Sequence, residues 1–476
     1  MAFNSVEYLV FLALVAAVLY GLPSWAGTLW LLGASYYFYA CWNSWYLALI
    51  VFSTLLDYLC ALLISRRVWG RKRWLLVSLC SNLGLLFAFK YYGFFSSSAL
   101  ALAKILGAEL YLPVLNLLLP VGISFYTLQT MSYTFDVYRG RILAETNLFR
   151  FSLFVAAFPQ LVAGPIERAG DFLPQLVRRL RPSPEDLVEG ARLIGWGLFK
   201  KTVVADRLSV YVQWAFADPA AHSNASLLIS GFLANVLIYA DFSAYADIAV
   251  GSARLLGLRL SQNFNFPLFS VSMPDFWRRW HLSLHNWFLD YVYFPLGGSR
   301  VGYGRFIANV FVIFLLSGLW HGAAWNFVIW GCFHFALVFV HIHVVKALSH
   351  LGIRLPRVWW FSLVGMALVH LQRALSMFFF FISDISKVWE IFGKFWTGSW
   401  ALSGEIVGPT YAFGFALIAA FTLLLFWVEG LHLRRSWSLR LAGMGWARRF
   451  SCYYAILFLI MLFGMDSTNP FIYFQF

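Results

Sequence analysis

Two histidines stand where acid–base chemistry is feasible. His321 lies in LLSGLWHGAAWNFVIWG (315–331), inside a run from Phe306 to Val345 that holds no Asp, Glu, Lys or Arg. A neutral imidazole near pH 7 serves as a general base or transient acceptor. An ionisable group at such apolar depth is costly, which makes it a functional candidate. A single helix over Phe306–Val345 would be about 60 Å long, too long for one membrane crossing. Gly318 and Gly322 bracket the histidine, so a helix break is expected there. From Phe306 to His321 the helix covers about 24 Å, so counting residues does not fix the depth of the ring. Trp320 and Trp325 add aromatic walls of the kind that line a pocket.

The second candidate is His281, in FWRRWHLSLHNWFLDYVYF. Residues 272–300 read as an interfacial helix. Ser272 and Asp275 resemble a capping box, Pro274 suits the first turn, and Gly297-Gly298 ends the run. At helical spacing Phe276, Trp277, Trp280, His281, Leu284, Trp287, Phe288 and Tyr291 share an aromatic face, while Arg278, Arg279, Ser283, Asn286 and Asp290 are more polar positions. His281 and His285 are four apart, a spacing that suits zinc. The intervening Leu-Ser-Leu lacks the glutamate of HExxH and no third ligand stands out, so no metal is expected. Arg278 and Arg279 suit either a phosphate-bearing ligand or anionic lipid head groups.

Asp57, Asp241, Asp247, His334 and Arg373 also fall in apolar stretches. For each, a buried helix–helix hydrogen bond competes with a functional role. Asp241, Tyr245 and Asp247 belong to YADFSAYADIAVGSARLLG, whose small residues suit close helix packing.

The elements that must position these residues follow from composition. The chain has 476 residues, 61% hydrophobic and 12% charged, half the charge of an ordinary soluble domain at about 25%. It reads as an all-α polytopic membrane protein of 11–12 transmembrane helices plus re-entrant or interfacial helices. Twelve apolar stretches are candidate spans: about 5–21, 27–41, 44–64, 74–95, 112–135, 190–216, 226–253, 305–320, 324–345, 358–381, 411–430 and 452–466. FSLFVAAFPQLVAGP (151–165) is too short to cross and fits a re-entrant or interfacial piece. The net charge of +14 comes from short basic loops such as RRVWGRKR (66–73), a cytoplasmic signature that speaks against nucleic acid. Counting spans from that loop places the N-terminus outside. No basic residue precedes Arg66, so the first segment reads as a retained span rather than a signal peptide. Five scattered cysteines suggest neither a disulfide framework nor a metal knuckle. A phosphate loop, a dinucleotide fingerprint and a GxSxG elbow are all missing, which argues against a nucleotide-driven pump or soluble-type hydrolase.

Seven stretches together resemble the membrane-bound O-acyltransferase (MBOAT) family, in its bacterial branch named for alginate O-acetylation. They are FNSVEYLVF, PVGISFYTLQTMSYTFDVYRG (120–140), FPQLVAGPIER (158–168), YADFSAYADIAVG (239–251), FWRRWHLSLHNWFLDYVYFPLGG (276–298), SGLWHGAAWNFVIWG (317–331) and the closing NPFIYFQF. The resemblance covers nearly the whole chain and implies a ring-like fold with a central tunnel. It maps the family's near-invariant histidine to His321 and its second residue to His281, 40 positions upstream. His321 is then the base or acyl relay, and His281 orients it or stabilises the oxyanion. Trp280, Trp320, Trp325, Asn286, Arg278, Arg279, Asp241 and Tyr245 are the candidate tunnel or substrate residues.

One membrane domain is expected over 1–476: N-terminal helices to 135, a catalytic core over 136–345 with the interfacial helix near 272–298, and C-terminal helices from 346. No resident cofactor is implied, and acetyl-CoA is the implied donor, with an acyl carrier as its rival. The resemblance further implies a bacterial inner-membrane location, lipid contact and a periplasmic SGNH-type acetyltransferase that finishes transfer to a polysaccharide. Asp466-Ser467 lacks the context of a GDS-type serine motif, which fits the need for such a partner. D-alanyl, cellulose or peptidoglycan O-acyl transfer share these motifs, and a transporter is the rival from another class.

Overall fold

The computed structural model describes residues 1–472 except 116, 163, 354–357, 402–410, 435–436 and 466–470. Asp466-Ser467 and most of the closing NPFIYFQF lie outside the described residues. All regular structure among the described residues is helical. Eight helices are long and apolar enough to cross a membrane: Ser44–Ser65, Arg71–Ile105, Asn224–Leu255, Tyr303–His321, Trp325–His350, Trp359–Phe381, Ala412–Arg434 and Trp446–Phe463. They coincide with eight of the twelve stretches expected from the sequence. Of the other four, Val6–Gly21 and Ser24–Ala40 are helical but shorter. The stretch at 190–216 is two helices, Pro184–Leu198 and Asp206–Ala217, joined by a π-helical turn, Phe199–Ala205.

The stretch at 112–135 is corrected most. Its helix, Ile123–Arg139, begins only after Gly122, which sits at φ +78°. A Cβ there would come within 2.5 Å of the Leu161 carbonyl oxygen, so the turn requires glycine. From Ile123 to Thr134 every side chain is buried, many of them Ser, Thr or Gln.

The chain divides into two compact units. Unit 1 comprises Met1–Ile194, Ile248–Gln262 and Leu289–Tyr291. Inside it Asp57 accepts hydrogen bonds from Ser78 Oγ (2.5 Å) and from Asn82 Nδ2 (2.9 and 3.0 Å). Ser78 also reaches Thr134 Oγ1, so this carboxylate pins three helices together. Leu148–Ala156 and Phe158–Leu161 form the segment expected to be re-entrant or interfacial, and Phe151 to Leu161 is buried throughout. The amides of Gln129 and Gln160 both donate to the Phe154 carbonyl, at the end of the first of these helices.

Unit 2 comprises Gly195–Asp247, Asn263–Phe288 and Val292–Phe476, and it contains both candidate histidines.

Candidate active site

The Tyr303–His321 helix ends on His321, and Trp325–His350 begins four residues later. Gly322 and Ala324 are extended, which breaks the apolar run where the glycines suggest it should break. The two helices then fold back against each other at backbone contact. A Cβ on Gly318 would strike the Phe327 carbonyl oxygen, and one on Gly331 would come within 2.5 Å of the Phe314 carbonyl oxygen. Small residues permit such an approach in a membrane, where close packing replaces the hydrophobic effect. The approach sets Trp330 beside His321, with ring centroids 5.0 Å apart, while Phe380 closes another side at 5.5 Å.

His281 is reached differently from the sequence expectation. Met273–Trp277 starts as foreseen: Ser272 Oγ accepts from the Asp275 amide, and Pro274 lies in the first turn. The helix then stops, and a new one runs over Leu282–Phe288. His281 occupies the break at φ +46°, a left-handed conformation uncommon for any residue but glycine. The cause is a strand of irregular chain alongside. The Leu282 amide donates to the Asn263 carbonyl (2.9 Å), Ser283 Oγ donates to Asn263 Oδ1 (2.6 Å), and the Asn265 amide donates to the Arg279 carbonyl (3.0 Å). Backbone groups that a continuous helix would pair internally are paired instead with residues 263–265. The single aromatic face drawn through 276–291 therefore does not exist. His281 leaves the helical register.

The break brings the two histidines to one indole. Trp320 is edge-on to His281 with centroids 5.5 Å apart and edge-on to His321 at 5.0 Å. Phe242, from Asn224–Leu255, packs on His281 at 4.8 Å. Both imidazoles are almost wholly buried, at 2% and 4% exposure. His281 lies outside the spans, and burial pushes its pKa down to about 3, so the ring is neutral at physiological pH.

Behind this pair sits a buried cation. Arg373 donates through Nε to Asn235 Oδ1 (3.0 Å), lies 3.4 Å from His334 Nε2, and stacks over Phe276 (4.5 Å) and Trp280 (5.3 Å). His334 is 4.6 Å from Trp330 and 5.0 Å from Trp277 between ring centroids.

The other expected site residues lie in three settings. Trp280 is buried beside His281. Trp325, the first residue of its helix, is 57% exposed. Trp330, Phe380 and Phe242 take the wall positions. Nothing in sequence spacing singled them out from the other aromatics. Arg278 and Asn286 are exposed, and Arg279 bridges Asp275 at 2.9 Å. Asp241 and Tyr245 belong to a different cluster. Asp241 pairs with Lys201 at 2.8 Å and accepts the Ile472 amide, and Tyr245 packs edge-on to Phe471. Lys201 also bridges Asp206 at 3.0 Å, Lys200 bridges Asp247 at 2.8 Å, and Tyr239 donates to Glu429 at 2.7 Å. Lys200, Lys201, Asp206 and Glu429 were readable as charges inside apolar stretches but were not among the ionisable residues singled out from the sequence. Among the described residues, no three His, Cys, Asp or Glu side chains gather as a metal site requires.

Comparison with known proteins points to one chemistry. The family model described as MBOAT, membrane-bound O-acyltransferase family, matches residues 34–369. A probable alginate O-acetylase AlgI of Pseudomonas putida is 34% identical over 491 residues, covering 98% of this chain and 99% of that one. A probable alginate O-acetylase AlgI of Azotobacter vinelandii is 38% identical over 340 residues, covering 70% and 67%. A peptidoglycan O-acetyltransferase of Helicobacter pylori is 34% identical over 350 residues, covering 68% and 65%.

Proposed function

The chain belongs to the membrane-bound O-acyltransferase family and is a multi-pass membrane O-acyltransferase; from that premise we propose that it carries acetyl groups from cytoplasmic acetyl-CoA across the bacterial inner membrane for O-acetylation of alginate. A periplasmic SGNH-type partner completes transfer to the polymer, and the N-terminus faces the periplasm. The observation that carries the reading is the placement of two buried, aromatic-walled imidazoles, His281 and His321, on the edges of one indole, Trp320.

His321 is the base or acyl relay. As base, its neutral ring takes the proton of the acceptor hydroxyl while that oxygen bonds to the thioester carbonyl carbon. The tetrahedral intermediate collapses with cleavage of the C–S bond, and the proton passes to the departing thiolate. As relay, a ring nitrogen bonds to the thioester carbonyl carbon and the C–S bond breaks, the thiolate leaving with the ring N–H proton. The acceptor hydroxyl then attacks the acyl carbon, the C–N bond breaks, and the hydroxyl proton returns to the ring. His281 orients its partner or donates to the developing oxyanion, where one donor is typically worth about 3 kcal/mol. Its depressed pKa means it donates as a neutral imidazole N–H and needs no proton from solvent.

Purified chain in detergent, with no ion gradient, is expected to consume acetyl-CoA and to lose that turnover in His321→Ala. Absence of turnover from folded protein supplied with its partner overturns the reading and favours a transporter. A second reading, O-acetylation of peptidoglycan, is favoured by the similarity to the Helicobacter pylori relative. Acetyl content of peptidoglycan and of alginate in cells with and without His321 separates the two.

A further inference from the structure

We propose that Arg373 is a positioning residue that holds His281 and His321 in one reactive geometry. The inference rests on the acyl-transfer reading of those histidines. A guanidinium inside a membrane-spanning helix carries a large desolvation cost, and Arg373 is 1% exposed. Its surroundings offset that cost in a particular pattern. One edge donates to Asn235 Oδ1, the end nitrogen faces His334, and the flat face lies over Phe276 and Trp280. A planar guanidinium donates and stacks at the same time, which an ammonium does not.

Three of these four contacts lead to one of the histidines. Phe276 and Trp280 belong to the turn that ends in His281 at φ +46°. His334 rests on Trp330, and Trp330 forms a wall of His321. The Arg373 helix also presents Phe380 to His321, and Asn326 Nδ2 donates to its Phe379 carbonyl at 3.1 Å. Asn235 is itself fixed through His370, whose other ring nitrogen meets the Leu268 carbonyl at 3.0 Å. Arg373 thus braces a strained turn against the wall of the opposite imidazole.

The test uses the full-length purified chain. Arg373→Met is expected to lower kcat for acetyl-CoA consumption about 100-fold, the loss a misplacement of about 1 Å can produce, with KM kept within about threefold. Arg373→Lys, which keeps the charge but not the planar stack, is expected to recover only part of kcat. On a His281→Asn background Arg373→Met should cost clearly less than in the native chain, because the share of its effect that runs through His281 is already lost. Labelling with diethylpyrocarbonate, followed peptide by peptide, needs no turnover. His281 should become reactive in Arg373→Met while buried His222 stays protected. Unchanged His281 labelling, a raised KM with kcat kept, a full additional loss on the His281→Asn background, or loss of the folded species in both Arg373 variants would each overturn the proposal.

Discussion

Trp320 stands edge-on to His281, with ring centroids 5.5 Å apart and planes at 75°, although 39 positions separate the two in the chain. The same indole is the chain neighbour of His321. It is therefore a side chain that both imidazoles share, and its removal should loosen both. Trp320→Ala is expected to destabilise the protein by about 3 kcal/mol, as large-to-small changes at buried aromatics do, and to lower thioester turnover more than Trp320→Phe. Thermal midpoints and turnover of the two variants check this. Equal activities would show that the ring plays no part in alignment.

The left-handed backbone at His281 separates shape from chemistry. Asn tolerates φ near +46°, whereas a β-branched residue does not. His281→Asn should keep the fold and lose most turnover. His281→Val should be less stable than His281→Asn by about 1–2 kcal/mol, measured by thermal denaturation in detergent.

Glycines in this chain predict substitutions of opposite sign. Gly331→Ala drives a methyl group into the Phe314 carbonyl and should force apart the helices that place Trp330 against His321. A loss of about 1–3 kcal/mol together with most of the activity is expected. Gly84, in Arg71–Leu86, has open space where a Cβ would go. Gly84→Ala should stabilise by about 0.5–1 kcal/mol, with activity unchanged.

Lys201 holds two buried carboxylates, Asp206 and Asp241. Lys201→Met removes the cation that bridges both and should cost about 3–5 kcal/mol, seen as a lower thermal midpoint. KM for the thioester should stay constant in whatever protein folds. A selective rise in KM would return Asp241 to the substrate path.

Glu167 supplies a pH signature outside the spans. Burial raises its pKa to about 7 from 4.5, against the opposing hydrogen bonds from Ser261. The unfolded chain releases this proton near pH 4.5, the folded chain only near pH 7. The contribution of Glu167 to stability is therefore full below about pH 4.5 and is lost as pH rises through about 7. Glu167→Gln keeps the acceptor oxygen and should flatten the thermal midpoint over that window. A midpoint profile identical to that of the unsubstituted protein would contradict it.

The sequence by itself determined the features whose causes are local. The length of each apolar run sets which helices reach across a membrane, and Gly318 and Gly322 mark the break at His321. Ser272 and Pro274 set the start of the helix before His281. The motif pattern determined the family and singled out the two histidines. Tertiary structure alone decided what depends on partners distant in the chain. His281 leaves helical register because Asn263 and Asn265 claim the backbone groups around it. Trp330, Phe380 and Phe242 wall the pair while Trp325 is mostly exposed, because helix rotation about its axis is fixed by packing and not by spacing. Asp241, one residue from Phe242, turns away to Lys201. Adjacent residues on a helix point about 100° apart, so membership in a motif does not put a side chain in the site; only the neighbouring helices decide that.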